Sequence, residues 1–303
     1  MFELLLNKTS IGAKQKHFQG HALALFCILI WGTTFISTKV LLTTFRPIEI
    51  LFLRFILAYV ILWIIYPHTL KIEQKKQELL FMAAGICGVT LYFLFENIAL
   101  TMSLASKVGV IVAISPFFTA LISWLVQKNK RPTLRFFLGF ALAISGIACM
   151  SLSSLSTLTF QPVGDILAIL AAFIWAVYSS ITKKISTYSY PILAVTRRIF
   201  FYGLVFMIPA LFTMDFSLQP SDFRSMISLL NLAFLGILAS ALCFAAWNYS
   251  VQILGTIKTS VYIYMVTVVT AITSILILKE HFTWVTTLGI ALTLLGLFLS
   301  ESK

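Results

Sequence analysis

Long apolar runs separated by short polar loops are the dominant pattern of this chain. Five charge-free windows, at 22–38, 79–95, 108–127, 259–278 and 281–300, each have the length of one helix that crosses a bilayer, about 20 residues. Two longer runs, 136–164 and 225–257, each need a turn inside them. The pattern predicts ten transmembrane helices that start near His21, Ile48, Leu79, Ser106, Leu134, Gly164, Pro191, Ile227, Ile257 and Thr283.

Composition supports a membrane protein and excludes several other classes. Of the 303 residues, 60% are hydrophobic and only 11% are charged, whereas a soluble domain has about a quarter charged. A soluble enzyme, a disordered chain and a soluble nucleic-acid binder are therefore excluded. The runs do not alternate polar and apolar residues, so a transmembrane β-barrel is not expected. The predicted fold class is an all-α membrane protein.

The positive charge is distributed unevenly between the two sides of the predicted bundle. The formal net charge is +12, and the chain has 22 lysines and arginines. When ten helices are counted from a cytoplasmic N-terminus, most of these residues fall in cytoplasmic loops, as the positive-inside rule requires. The sequence therefore predicts a multi-pass protein with both termini in the cytoplasm.

The two halves of the chain repeat one another. Gly20, Trp31, Lys39 and Arg54 recur 144 residues later, and further matches at an offset of 151 join Gly85 with Gly236, Asn97 with Asn248, Lys107 with Lys258, and Lys128 with Lys279. Because each half has five helices, the second half must enter the membrane inverted. We expect a tail at 1–20, repeats at 21–152 and 164–300, a linker at 153–163 and a short tail at 301–303. Transporters built from inverted repeats hold their substrate between the halves.

Several motifs carry a resemblance to a known family: Trp31-Gly32, Leu53-Arg54-Phe55, Ser115-Pro116-Phe117-Phe118 and Lys279-Glu280. In these features the chain resembles the EamA type of the drug/metabolite transporter superfamily. The resemblance implies a bundle in the cell (inner) membrane whose central cavity is lined mainly by helices 1, 3, 4, 6, 8 and 9. Its members mostly export amino acids and related metabolites. Thr267 and Asn129 depart from the family pattern, which leaves the substrate open.

Polar and aromatic side chains at helical spacing mark a candidate substrate site. Trp31 and Thr34 share one face of helix 1, and Trp175 and Tyr178 occupy the matching face of helix 6. Such faces bind an amphipathic solute by stacking and hydrogen bonding, or they join helices to each other. The candidate substrate-binding residues are Trp31, Thr34, Tyr92, Glu96, Asn97, Lys107, Trp175, Tyr178, Trp247, Asn248, Lys258 and Tyr262.

The charged residues near these faces have two interpretations each. Glu96, inside helix 3, is a site for a substrate amine or a coupling proton, or it forms a local ion pair with Lys107. Lys258 binds a substrate carboxylate, or it anchors a helix at the membrane interface. Arg54, Arg197 and Arg198 are expected to extend toward lipid headgroups or to hold carbonyl groups at helix ends.

The leading hypothesis is a secondary transporter that exports a small polar or amphipathic metabolite, an amino acid or a related compound, by alternating access around a central cavity. The alternatives are a flippase for a lipid-linked headgroup and a non-transporting membrane scaffold or enzyme. No catalytic residue, metal site, cofactor motif or nucleic-acid partner is predicted. The expected partners are a small molecule and the lipid bilayer. Proton coupling and a homodimer remain open.

Overall fold

A computed structural model describes residues 2–127, 133–153, 162–280 and 283–301. Within them the chain forms ten helical spans, whose bounds are as follows: α1 Phe2–Leu41, α2 Pro47–Ile65, α3 Lys75–Met102, α4 Ala105–Val126, α5 Leu134–Ser153, α6 Pro162–Ser186, α7 Ile192–Thr213, α8 Met226–Leu254, α9 Thr256–Leu278 and α10 Trp284–Glu301. A short 3₁₀ turn, Pro220–Phe223, lies between α7 and α8.

The all-α membrane fold predicted from the sequence is confirmed. Eight of the described helices are long and apolar enough to cross a membrane, and the shorter apolar helices Leu134–Met150 and Trp284–Leu299 complete the ten. Helix α1 differs from its prediction because it begins at Phe2 and not near His21. No proline interrupts this segment, so the polar residues continue the helix. Most of the predicted linker, 154–161, lies outside the described residues.

The first two helices of each half pack into the opposite half. Helix α1 packs on α8 and α9, and its counterpart α6 packs on α3 and α4. Helices α2 and α7 contact each other, and each also contacts the third helix of the opposite half. The contacts of one half are therefore repeated by the other with the order of the halves exchanged. This arrangement places α1 and α6 at the centre of the bundle.

Helices α5 and α10 pair at the edge of the bundle through small residues. A Cβ added to Gly146 would lie 2.5 Å from the Gly289 carbonyl oxygen, and one added to Gly296 would lie 2.4 Å from the Gly139 carbonyl oxygen. The Thr293 hydroxyl donates to this same Gly289 oxygen at 2.8 Å. These small residues let the backbones of the two helices approach closely.

Several departures from regular α-helix interrupt the helices of the bundle, among them a 3₁₀ turn in α9, Val261–Ile263, and a π-helical segment in the same helix, Ser274–Leu278. Helix α3 contains a π-helical segment, Ile86–Leu91, and α8 contains another, Phe234–Leu242, at the corresponding place in the second half. Helix α4 breaks at residues 113–114, just before Pro116, which has no N–H to donate. Such irregular segments occur often at functional sites because they redirect side chains and free backbone groups.

Candidate functional site

Aromatic rings from both halves meet between α1 and α6. The centroids of the Trp31 and Trp175 rings are 5.4 Å apart with the rings nearly perpendicular. The Trp247 ring lies 5.0 Å from Trp31, and Phe244 contacts both Trp31 and Trp175. Trp31 is held in place because its Nε1 donates to the Ala239 carbonyl at 2.8 Å. The two tryptophans are counterparts in the repeat, so the pseudo-symmetry axis passes close to this cluster.

A small cavity lies beside the two tryptophans. Its volume is about 40 Å³, room for a few water molecules, since one water needs about 10–15 Å³ by this measure. It is lined by Trp31, Thr34, Phe35, Arg54, Tyr92, Phe93, Glu96, Val112, Ser115, Trp175, Ile263 and Val266. We call this space the central cavity. In the observed conformation it is too small for an amino acid.

Arg54 points from α2 into the central cavity. The side chain is 1% exposed, its Nε donates to the Ser240 hydroxyl at 2.6 Å, and its Cζ lies 4.1 Å from the centroid of Phe93. Its Nη1 has no hydrogen-bond partner among the described residues. The expectation that Arg54 extends to the headgroups is therefore wrong. Ser240 and the Phe93 ring stabilise the guanidinium inside the bundle, since aromatic faces attract cations.

Glu96 brings the opposite charge to the same cavity. It is 1% exposed, and its Oε1 has no hydrogen-bond partner within the described part of the chain. Tyr92, one turn earlier on α3, and Arg54 are the polar neighbours that act on the carboxylate. The local ion pair between Glu96 and Lys107 is not formed, because the Lys107 Nζ lies 2.9 Å from the Asp165 carboxylate.

Five of the twelve predicted site residues line the central cavity: Trp31, Thr34, Tyr92, Glu96 and Trp175. Two others join helices to one another. The Tyr178 hydroxyl donates to Asn248 at 3.2 Å, and the Asn248 amide donates to Thr196 at 3.1 Å.

The remaining predicted residues lie outside the cavity wall. The Asn97 amide donates to the Pro47 carbonyl at 3.1 Å, and Trp247 packs behind Trp31. Tyr262 bonds to His21 at 2.8 Å, and Lys258 is exposed. Lys107, the fifth of these residues, is bound to Asp165. All five side chains lie either behind the residues that line the cavity or at the ends of the bundle.

The prediction of lining residues missed a whole helix. Helix α2 contributes Arg54, whereas α8, which the family resemblance implied, supplies none of the lining side chains given above. The other residues that were missed are Phe35, Phe93, Val112, Ser115, Ile263 and Val266. Ser115 had a signal in the sequence because it precedes Pro116, and its hydroxyl is buried without a partner among the described residues. The apolar lining residues carry no such signal.

Comparison with protein families finds one family that matches both halves. The model described as "EamA-like transporter family" matches residues 18–152 and again residues 162–301.

Several curated relatives match nearly the whole chain. An uncharacterised transporter of Archaeoglobus fulgidus is 29% identical over 93% of this chain and 97% of its own length. A probable amino-acid metabolite efflux pump of Escherichia coli is 26% identical over 92% of this chain and 93% of its own. A probable terminal-alkyne amino-acid exporter of Streptantibioticus cattleyicolor is 25% identical over 91% of each chain.

A solved crystal structure shares the fold. It superposes with a TM-score of 0.68 at 18% identity and covers 93% of this chain and 97% of its own. The ten-helix arrangement is therefore one that has been determined for another protein.

Proposed function

The chain belongs to the EamA-like transporter family, and from that premise we propose that it is a secondary transporter that exports a small amino-acid-related metabolite. As a family member it is a multi-pass membrane transporter, not an enzyme. Our proposal adds the substrate class, the direction and the mechanism. It also places the protein in the cell (inner) membrane with both termini in the cytoplasm and treats each five-helix repeat as one moving unit.

The proposed substrate class rests on two atoms of opposite charge at the central cavity that have no hydrogen-bond partner in the described part of the chain. Arg54 Nη1 and Glu96 Oε1 are both buried without partners among the described residues. The two opposite charges attract each other, but within these same residues each of the two atoms still lacks the hydrogen bond that a buried polar atom needs. A zwitterionic solute supplies a carboxylate for Arg54 and an ammonium for Glu96 at once. The rings of Trp31 and Trp175 then contact its apolar part.

The size of the cavity supports alternating access. At about 40 Å³ the central cavity must expand before it accepts such a solute. In inverted-repeat transporters this expansion comes from rocking one half against the other, which opens the site to one side of the membrane at a time. Here α1 and α6 bring Trp31 and Trp175 from the two halves to the cavity, so movement between the halves changes its volume directly.

The names of the relatives support the same cargo and direction. Two of them are called an amino-acid metabolite efflux pump and an amino-acid exporter, each matching over about nine tenths of this chain. Because these identities are near 25%, the proposal names a class of substrate, amino-acid-related metabolites, and not one compound.

The test is transport in proteoliposomes with purified protein. Labelled amino acids and their derivatives are screened for uptake, and Arg54→Met and Glu96→Gln are then compared with the wild type. We expect each variant to lose roughly tenfold or more of the uptake rate, as expected for removal of one partner of a buried charge contact.

Matched controls separate loss of the site from general damage. Arg46→Met and Glu73→Gln remove the same charges from exposed positions, and both are expected to transport normally. Uptake that is unchanged in Arg54→Met and Glu96→Gln would contradict the proposed site. The absence of uptake or thermal stabilisation with any amino-acid-like compound would contradict the substrate class.

We further propose that Glu96 binds the coupling proton when the substrate amine is absent. An imposed pH gradient should accelerate transport by the wild type, and Glu96→Gln should abolish that acceleration because an amide does not titrate. A gradient response that survives in Glu96→Gln would remove the coupling role and leave the substrate site intact.

A further inference from the structure

Two corresponding turns lie at opposite ends of the bundle. The turn at 103–104 joins α3 to α4 at the end that carries Lys107, and the turn at 254–255 joins α8 to α9 at the end that carries Lys258. We call these the Lys107 end and the Lys258 end. Each turn packs on a glycine of the opposite half, Gly164 near the start of α6 and Gly20 within α1. A Cβ on Gly164 would lie 3.1 Å from Met102, and one on Gly20 would lie 3.1 Å from Leu254.

At the Lys107 end, the turn and the start of α4 are bound by charged side chains. These side chains come from α1 and from the opposite half. The Lys39 Nζ donates to the carbonyl oxygens of Leu100 at 2.5 Å and Ser103 at 2.8 Å. The Lys107 Nζ lies 2.9 Å from the Asp165 carboxylate, with side chains only 6% and 10% exposed. Burial excludes water, so this ion pair is screened far less than a surface pair.

Glu280 makes a third set of charged contacts at the same end. The Glu280 carboxylate accepts from the backbone N–H of Ala105 at 2.9 Å and of Ser106 at 3.3 Å, and from the Ser106 hydroxyl at 2.5 Å. These are the first N–H groups of α4, where a negative charge is favoured. Between α1 and α8, the Ser37 hydroxyl also donates to Asn231 at 2.5 Å.

The Lys258 end has the counterparts of these residues but not their charge contacts, and a hydrogen bond of 2.8 Å between His21 and Tyr262 is found there instead. Offsets of 144 and 151 pair Lys39 with Lys183, Asp165 with His21, and Lys107 with Lys258. Lys258 is exposed, and within the described residues neither it nor Lys183 makes a side-chain hydrogen bond or ion pair. The counterpart of Glu280 is Asn129, which lies outside the described residues and has no charge.

A groove between α3, α4 and α6 lies at the Lys258 end. The counterparts of Ser37 and Asn231 are Ile181 and Leu80, and instead of bonding they line an open groove of about 600 Å³ together with Lys183. The structure therefore has one end held by buried charge contacts and a corresponding end without them, and this difference follows from residues that the two repeats do not share.

We propose that the contacts of Lys39, Lys107 with Asp165, and Glu280 hold the Lys107 end closed in the empty carrier. We propose also that Lys183 replaces Lys39 in the opposite state, by binding the carbonyl oxygens of Val251 and Leu254 when the Lys258 end closes. No carboxylate among the counterparts gives Lys258 an ion pair there, so the opposite state is the weaker one. The empty carrier consequently rests open toward the Lys258 end. This inference depends on the alternating access proposed above.

The test measures access to the central cavity from each side of the membrane. Ser115→Cys is introduced into a variant whose four native cysteines are replaced, and the protein is reconstituted without substrate in vesicles of known orientation. A membrane-impermeant thiol reagent is then applied from one side at a time. We expect faster labelling from the Lys258 end than from the Lys107 end.

Substitutions then shift this preference in opposite directions. Lys107→Met and Asp165→Asn should each raise labelling from the Lys107 end by roughly tenfold, because each removes a buried ion pair present in only one state. Exchanging the two charges, with Lys107→Asp and Asp165→Lys together, should restore the slow rate. Lys183→Met should lower labelling from the Lys107 end, and Lys258→Met, which removes an exposed lysine, should have little effect.

Two results would overturn the inference. One is unchanged labelling in Lys107→Met and Asp165→Asn, and the other is an increase in Lys183→Met. The charge exchange distinguishes a shifted equilibrium from damaged folding, because misfolded protein would not recover the slow rate. The assay needs no substrate, so the orientation preference can hold even if the proposed cargo is wrong.

Discussion

Buried polar side chains in this bundle differ in how completely their hydrogen bonds are satisfied. Asn248 accepts from Tyr178 and donates to Thr196, so it joins α8 to two other helices. Its counterpart Asn97 makes one bond, to Pro47, and its Oδ1 has no partner among the described residues. Polar groups whose hydrogen bonds are satisfied, as in Asn248, hold helices together. We expect substitutions of such residues to affect stability more than transport.

Asn248→Ala is predicted to destabilise the protein more than Asn97→Ala. Each interhelical hydrogen bond in a membrane contributes about 0.6 kcal/mol on average and up to about 1.7, and Asn248 loses two while Asn97 loses one. Thermal unfolding of the two purified variants in one detergent provides the measurement. Equal melting temperatures, or a lower one for Asn97→Ala, would refute the structural role assigned to Asn248.

Helical spacing identified part of the candidate site but not its boundary. Trp31, Thr34 and Trp175 were predicted because they share polar or aromatic faces, and they line the cavity. Tyr178 shares such a face too, yet its hydroxyl bonds to Asn248 on another helix. Spacing shows which residues face inward, whereas the neighbouring helix decides whether they meet a cavity or a partner. Arg54 was misjudged for the same reason, since Ser240 and Phe93 come from other helices.

The backbones of helices α5 and α10 approach each other closely, and this contact is structural. Gly146 and Gly289 are in mutual contact, with a Cβ on either reaching within 2.7 Å of the other's carbonyl oxygen. Neither helix supplies a lining residue of the central cavity. The pair therefore serves as a support that can be disturbed without touching the proposed site.

Gly146→Leu is predicted to separate α5 from α10 and to lower the yield of folded protein. The new Cβ would lie 2.5 Å from the Gly289 carbonyl oxygen, which is backbone and cannot rotate away. Ala141→Leu on the exposed face of the same helix is the matched control and should fold normally. Size-exclusion profiles and melting temperatures of both variants give the comparison. A normal profile for Gly146→Leu would mean that the two helices are not packed as observed.

Helix number and approximate position followed from the sequence, because a bilayer-length apolar run has few alternative structures. The positions of the irregular segments did not follow from the sequence. The π-helical segments Ile86–Leu91 and Phe234–Leu242 carry no proline and have ordinary apolar composition, so only packing against neighbouring helices selects them. The break at 113–114 does have a signal in the sequence, because it lies just before Pro116, which has no N–H to donate.

At the scale of the whole molecule, the two inverted halves have the same packing but different charges. Their common residues place Trp31 opposite Trp175 and bring α1 and α6 together, which gives the molecule one shared cavity. Their differences, such as Asp165 against His21, give the two ends unequal contacts. Repetition in the sequence thus predicts the fold, and departures from the repetition account for the unequal contacts of the two ends.

The placement of the two ends in the membrane gives a final prediction. Ser221, between α7 and α8, and Gln74, just before α3, are both exposed and lie on opposite sides of a ten-helix bundle. Cytoplasmic termini put Ser221 outside and Gln74 inside, because the loops rich in lysine and arginine stay in the cytoplasm. In a cysteine-free variant expressed in intact bacterial cells, an impermeant thiol reagent should label Ser221→Cys, and should label Gln74→Cys only after the cells are permeabilised. The reverse pattern would place the termini outside and would reverse the side toward which the empty carrier opens.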